Sequence, residues 1–316
     1  MMAADNLRPA SAGATPKAGS AGEATPRVPL LALDYLWFQV AGTVCNLRCT
    51  HCFISCAPDN HSFWFLDLDT VGAYLDESKS WGVKEYYFTG GEPFMNKDLP
   101  TMLERTLAIG PASVLTNATL LPEKTVRRLA EIDAGSPFSL ELRVSLDGPS
   151  ADTNDPIRGT GTFERTLQGV QRLVEYGFLP IITAAQVWCP QEDGKVYQQF
   201  VDALHRVGYG RPRIKILPSL HIGREADRSR SYSDEERVTS AMMEDFDASQ
   251  LLCSSARIVT DRGVYVCPIL IDHADARLGA DLEEAARPYA LGHHACYTCW
   301  MNGAICTNFS GIGLER

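Results

Sequence analysis

Apolar positions in this chain follow two alternating periods. Short runs rich in β-branched and aromatic residues give way to longer stretches whose apolar residues return every three or four positions. Tyr35–Gly42 reads as a strand, Leu68–Gly82 as a helix, Glu85–Gly91 as a strand, Leu99–Gly110 as a helix and Ala112–Asn117 as a strand. Pro122, followed by Val126, Leu129 and Ile132, opens another helix. Leu140–Asp147 is a strand, and Phe163–Gly177 a helix with Leu167, Val170 and Val174 on one face. Leu179–Trp188 and Arg213–Leu217 are strands separated by a helix over Val196–Gly208. Asp234–Phe246 is a last predicted helix, with Asp234 as its N-cap.

Six strand-then-helix units in succession predict a parallel sheet with right-handed crossovers. Such sheets bind ligands beyond the C-terminal ends of their strands. Cys45–Cys52 follows the first strand, Gly90-Gly91-Glu92-Pro93 ends the second, and Thr116-Asn117 ends the third. Ser145 and Asp147 end the fourth, and Gln186 lies near the end of the fifth. All of them fall on one rim, which groups them into one site.

The rhythm changes from Asp247. Two β-rich runs over Ile258–Val266 flank Asp261-Arg262-Gly263, a hairpin signature. Cys253 and Cys267 bracket that hairpin, and Cys296-Tyr297-Thr298-Cys299 and then Cys306 follow. A segment this short and polar buries little core unaided and calls for a metal. Two cysteines at the hairpin base and two from the CxxC supply four ligands. By residue type alone they suit an iron–sulfur cluster or a structural zinc.

Composition narrows the classes. At 316 residues and 45% hydrophobic content the chain can form one large domain, or one domain with a small appendage. The predicted division is a tail over 1–28, a core over 29–246 and an appendage over 247–316. A formal net charge of −10 without a basic block argues against nucleic acid as a partner. No apolar stretch approaches the roughly 18 residues of a membrane span. The residues up to about Arg27 are rich in Ala, Gly, Ser, Thr and Pro and lack an apolar signal core, so they read as a disordered tail. Ten cysteines without an export signal read as metal ligands in a reducing, cytoplasmic setting, not as disulfides. Cys56 and Cys189 carry no such pattern.

The chemistry centres on Cys45-Asn46-Leu47-Arg48-Cys49-Thr50-His51-Cys52. Three thiolates on one loop hold three corners of a [4Fe–4S] cube and leave one iron open to a small molecule. Zinc is the rival reading of this spacing, with Cys56 and His51 near enough to take part. The glycines of Gly90-Gly91-Glu92-Pro93 let backbone approach a ligand closely, and Glu92 offers a carboxylate. Arg143 and Arg158 are candidates either to hold a carboxylate or phosphate bidentately or to form surface salt bridges.

The cysteine loop and the Gly-Gly-Glu-Pro segment together resemble the radical SAM superfamily. The resemblance implies an α/β fold, a partial (β/α)6 TIM-like barrel, with a [4Fe–4S] cluster on Cys45, Cys49 and Cys52. It implies that Gly90, Gly91 and Glu92 bind S-adenosylmethionine, that Ser145 meets its ribose, and that Asn117 faces cofactor or substrate. The C-terminal segment resembles a Twitch domain, related to the larger SPASM domain, which implies a second, auxiliary [4Fe–4S] cluster on Cys253, Cys267, Cys296 and Cys299. The cysteines are too few for two complete auxiliary clusters, and Cys306 is left as a substitute ligand or a substrate-side thiol. The implied activity is reductive cleavage of S-adenosylmethionine, with hydrogen abstraction from a small molecule or peptide for net oxidation or bond formation. An electron donor such as flavodoxin or ferredoxin follows from it. A reading from another class is a non-catalytic iron–sulfur or zinc protein that relays electrons or scaffolds a partner.

Overall fold

The computed structural model describes residues 24–307. Its strands are β1 (Arg27–Val28), β2 (Tyr35–Gln39), β3 (Glu85–Thr89), β4 (Ala112–Thr116), β5 (Leu140–Ser145) and β6 (Ile181–Ala185). The series continues with β7 (Arg213–Leu217), β8 (Ala256–Thr260), β9 (Gly263–Tyr265), β10 (Arg277–Gly279) and β11 (Tyr289–Ala290). The helices begin with α1 (Leu68–Ser78), α2 (Leu99–Thr106), α3 (Glu123–Ala134), α4 (Ala151–Arg158), α5 (Thr162–Glu175) and α6 (Asp193–Arg206). Short helices complete the set: α7 (Arg224–Arg228), α8 (Ser240–Met243), α9 (Leu282–Ala285) and α10 (Ala295–Asn302).

Strands β2 to β7 pair in parallel in chain order, as the alternating periods predict. They are helix-covered outside and filled inside, so consecutive residues such as Tyr86, Tyr87 and Phe88 are all buried. Side chains alternate between the two faces. Tyr87 points inward and stacks on Trp37 at 4.1 Å between ring centroids. Outside, α5 buries Phe163, Leu167, Val170 and Leu173 on one stripe. This is the partial TIM-like barrel. The C-terminal hairpin forms as the Asp261-Arg262-Gly263 turn predicts, and it extends the same sheet: β8 pairs parallel with β2, followed by antiparallel β9 and β10.

Three elements differ from the sequence reading. Helix α4 was not expected, because its sequence is polar and contains Pro156. It forms where Ser150 and Thr153 cap each other reciprocally. The helix predicted over Asp234–Phe246 shrinks to α8, capped by Thr239 and not Asp234. Residues ahead of it are drawn into a turn in which the Glu236 carboxylate accepts from Arg230 and from the Ser233 N–H. The tail expected to reach residue 28 ends earlier, since β1 pairs antiparallel with β11; its residues 1–23 lie outside the described residues.

The turn after β3 fits only glycine. A Cβ on Gly91 would lie 2.0 Å from the Val44 carbonyl oxygen, which belongs to the cysteine loop. Gly91→Ala should therefore cost about 1–3 kcal/mol through forced displacement of backbone, lowering Tm by several degrees in thermal denaturation. Gly194→Ala, on exposed α6 with nothing within 4 Å of the new Cβ, should be neutral or slightly stabilising.

Candidate active site

The C-terminal ends of the parallel strands surround a cavity of about 250 Å³. Cys45, Cys49, Cys52, Gly90, Gly91, Asn117 and Ser145 all reach its wall. Seven residues that the sequence scatters over a hundred positions thus meet at one place. The thiols are all free. Cys45 Sγ accepts the Leu47 N–H at 3.4 Å and lies 3.9 Å from Asn117 Nδ2. Cys52 Sγ accepts the Cys56 N–H at 3.3 Å. N–H donors aimed at sulfur suit thiolate ligands of a metal cluster. Burial pushes the Cys45 thiol up to about 12, so in this pocket the thiolate needs a cation to hold it.

Cys56, which carries no sequence pattern, is buried beside Cys52 and lines the same cavity. Its Sγ lies 3.9 Å from the Gly90 carbonyl oxygen, and its place beside Cys52 lowers the Cys52 thiol and favours the thiolate there.

Glu92 is placed differently from the other predicted residues. It is fully buried and does not reach the cavity wall. Its carboxylate accepts from the Phe94 N–H at 3.1 Å, the Thr116 hydroxyl at 2.8 Å and the Asn117 N–H at 2.8 Å. It fastens the turn after β3 to the end of β4. Burial pushes its pKa up to about 7, against the Asn117, Thr116 and Phe94 donors. Asn117 completes the link, since its Nδ2 donates to Asn46 Oδ1 at 2.9 Å within the cysteine loop.

Opposite this seam lies a buried charge cluster. Asp147 Oδ2 meets His51 Nε2 at 2.7 Å and Arg158 Nε, and its Oδ1 accepts the Ala185 N–H at 2.7 Å. Burial alone would raise the Asp147 pKa, but Arg158, His51 and that N–H outweigh it and hold the carboxyl well below its usual range. Arg158 therefore forms a buried ion pair and not the surface one that sequence alone offers as the alternative. Gln186 turns away, donating to Asp193.

The cysteine loop is clamped from α7. Arg224 donates to the carbonyls of Cys49 at 2.8 Å, Ser55 at 3.2 Å and Cys56 at 2.5 Å. Gly223 precedes it with φ +56°, and a Cβ there would meet the Phe53 carbonyl oxygen at 2.3 Å.

A second cavity, about 20 Å³, is walled by Cys253, Cys267, Cys296 and Cys299 among apolar neighbours such as Leu252 and Val266. Among the described residues no carboxylate or imidazole reaches it. Burial raises all four thiols, Cys253 to about 12 and Cys267 to about 11. An all-sulfur donor set in an apolar shell fits an iron–sulfur cluster or zinc. Cys306 lies on the wall of the large cavity and not of this one.

Residues 40–188 match the family model of the radical SAM superfamily, and the chain carries a radical SAM domain over that span. A [4Fe–4S] cluster and S-adenosylmethionine are the cofactors that this family implies. Over 135 residues the chain is 35% identical to the Fe-coproporphyrin III synthase of Methanosarcina barkeri, covering 42% of this chain and 32% of that protein. Over 145 residues it is 29% identical to the GTP 3',8-cyclase of Psychromonas ingrahamii, covering 46% and 42%. The chain thus spans less than half the length of these curated relatives. In fold it resembles anSMEcpe with bound AdoMet, with a TM-score of 0.58 over 79% of each chain at 15% identity. No helix among the described residues is long and apolar enough to cross a membrane.

Arg224→Ala should release three loop carbonyls and lower the metal retained through anaerobic gel filtration by roughly half or more, while Arg128→Ala, an exposed ion-pair partner of Glu104, should retain it. Glu92 gives a pH signature. Between its usual 4.5 and about 7, the folded chain keeps a proton that the unfolded chain has released, so stability falls as pH rises. The stability difference between wild type and Glu92→Gln should shift by about 3 kcal/mol against wild type from pH 4.5 to 7.5, read from urea midpoints.

Proposed function

We propose that this chain is a radical S-adenosylmethionine enzyme of the oxidoreductase or maturase type. The observation that carries the reading is the shared wall of Cys45, Cys49 and Cys52 with Gly90 and Gly91 in one cavity at the strand ends. Cys45, Cys49 and Cys52 would hold the cluster. Gly90 and Gly91 would present backbone to the amino and carboxylate groups of S-adenosylmethionine, and Ser145 would face its ribose. Glu92 supports that binding by fixing the Gly90-Gly91 turn, and Asn117 by tying the turn to the cysteine loop. Held there, the cluster and S-adenosylmethionine would supply one-electron reductive cleavage of the sulfonium to a 5′-deoxyadenosyl radical, and with it hydrogen abstraction from substrate. The chain's own part is to position both ligands and to exclude water behind Trp37, Ile54 and Leu115.

The second set of thiols, Cys253, Cys267, Cys296 and Cys299, is our candidate for an auxiliary [4Fe–4S] cluster in a Twitch- or SPASM-like appendage over 247–316. The meeting of these four thiols on the wall of one small apolar cavity supports this. An auxiliary cluster would accept an electron from the substrate radical and make the net reaction an oxidation or a bond formation. The substrate is a small molecule or a peptide, the electron donor is of flavodoxin or ferredoxin type, and the setting is the cytoplasm.

Anaerobically purified protein reduced with dithionite should release 5′-deoxyadenosine well above a Cys45→Ala control; no excess over that control would sink the enzyme reading. Iron should approach about eight per chain and fall to about four in Cys296→Ala/Cys299→Ala. Zinc without iron would instead favour the non-catalytic reading.

A further inference from the structure

Below the rim, the barrel interior holds a guanidinium with no anionic partner among the described residues. Residues on β5 alternate, so Glu141, Arg143 and Ser145 share the inward face. Arg143 sits one layer beneath Ser145, about 7 Å deeper than the cofactor rim by strand geometry. It is 1% exposed and lines the cavity. Among the described residues it makes no ion pair. One amino group donates to the Cys306 carbonyl at 2.6 Å, and its Nε–H has no acceptor. Glu141, the carboxylate one layer further down, is engaged by Arg213 at 2.8 Å.

A second buried donor lacks an acceptor nearby. The indole Nε1–H of Trp37 is unsatisfied, and Trp37 lines the same cavity. Tyr87 connects the two: its ring stacks on Trp37 at 4.1 Å and lies 5.9 Å from the Arg143 guanidinium carbon. Lys215, on β7, adds a second cation that makes no ion pair among the described residues, its ammonium directed to the Thr307 carbonyl. Burial and the Arg143 charge push its pKa down to about 8. A buried cation and two orphaned N–H groups around one ring cost free energy unless an acceptor arrives. The chain supplies none among the described residues.

Building on the radical S-adenosylmethionine reading, we propose that Arg143, with Trp37 beside it, forms the seat for an oxyanion of the substrate, a carboxylate or a phosphate. The seat anchors the substrate from below, so that its reacting carbon faces the rim where the cofactors would bind. An anion here gains the guanidinium fork and the indole donor at once.

Isothermal titration of the anaerobically purified full chain with inorganic phosphate, and separately with acetate at matched ionic strength, tests the seat. Saturable binding on the order of millimolar is expected for at least one of them. Arg143→Gln should weaken it roughly tenfold or more and Trp37→Phe several-fold, while Arg128→Gln should not change it. Response to phosphate alone assigns a phosphate ester, to acetate alone a carboxylate, and to both a seat for either group. Arg143→Lys, which keeps charge but loses the fork, should fall between wild type and Gln, and it carries the comparison if the Gln variant does not fold. No saturable binding of either anion, or binding undiminished in the Arg143 and Trp37 variants, overturns the proposal. The titration needs no S-adenosylmethionine. Absence of 5′-deoxyadenosine from wild type would therefore remove the proposed function while leaving the seat readable.

Discussion

The structure depends on how closely two loops approach each other. The turn after β3 lies against the cysteine loop with no side chain between them. Glu92 N–H donates to the Val44 carbonyl at 3.1 Å, and Gly91 leaves no room for a Cβ against that same carbonyl. The backbone of one loop is thereby a wall of the other's pocket. This contact sets the distance between three thiols and the glycine backbone, and a cofactor bridging them needs that distance fixed before it binds.

Several buried polar groups serve to hold the contact in place. Glu92 lies behind the cavity wall and gathers donors from the end of β4 and its own turn. Arg224 satisfies three carbonyls of the cysteine loop that would otherwise face the interior unpaired. Asp147 ties His51 of the loop to Arg158 of α4, and the Ile157 carbonyl accepts the Thr50 N–H at 2.8 Å. The loop is therefore held on three sides by groups from separate elements. Desolvation makes each tie costly to leave half-made, which favours one arrangement over neighbouring ones.

Much of this was readable because it is written in local pattern. The strand and helix periods place the rim, and spacing within Cys45–Cys52 and Gly90–Glu92 marks the chemistry. What escaped involves partners far apart in sequence. Arg224 reaches the carbonyls of Cys49 and Cys56, some 170 positions away, and nothing near it in the sequence signals this. Cys56 belongs to the cavity although no motif includes it. Helix α4 is hidden by Pro156 and a polar surface, yet it is the element that ends in Arg158. Glu92 reads as a cofactor ligand from its place in the turn; that its carboxylate is fully buried against three donors is not legible there.

The C-terminal segment shows why the rim and the second set of thiols are mechanically one object. Strand β8 hydrogen-bonds along β2, the strand that delivers the cysteine loop, and Cys253 and Cys267 stand at the two ends of the β8–β9 hairpin. Past α10 the chain returns to the barrel, where Ile305 and Cys306 reach the large cavity and the Cys306 carbonyl takes one arm of Arg143. One continuous sheet thus links the cysteine loop to Cys253 and Cys267, α10 brings Cys296 and Cys299 to them, and the segment leaving α10 becomes wall for the first cavity. Removing the segment would expose one edge of β2 and open the cavity floor at Arg143 together, so its packing and its chemistry cannot be separated by trimming at the start of the hairpin.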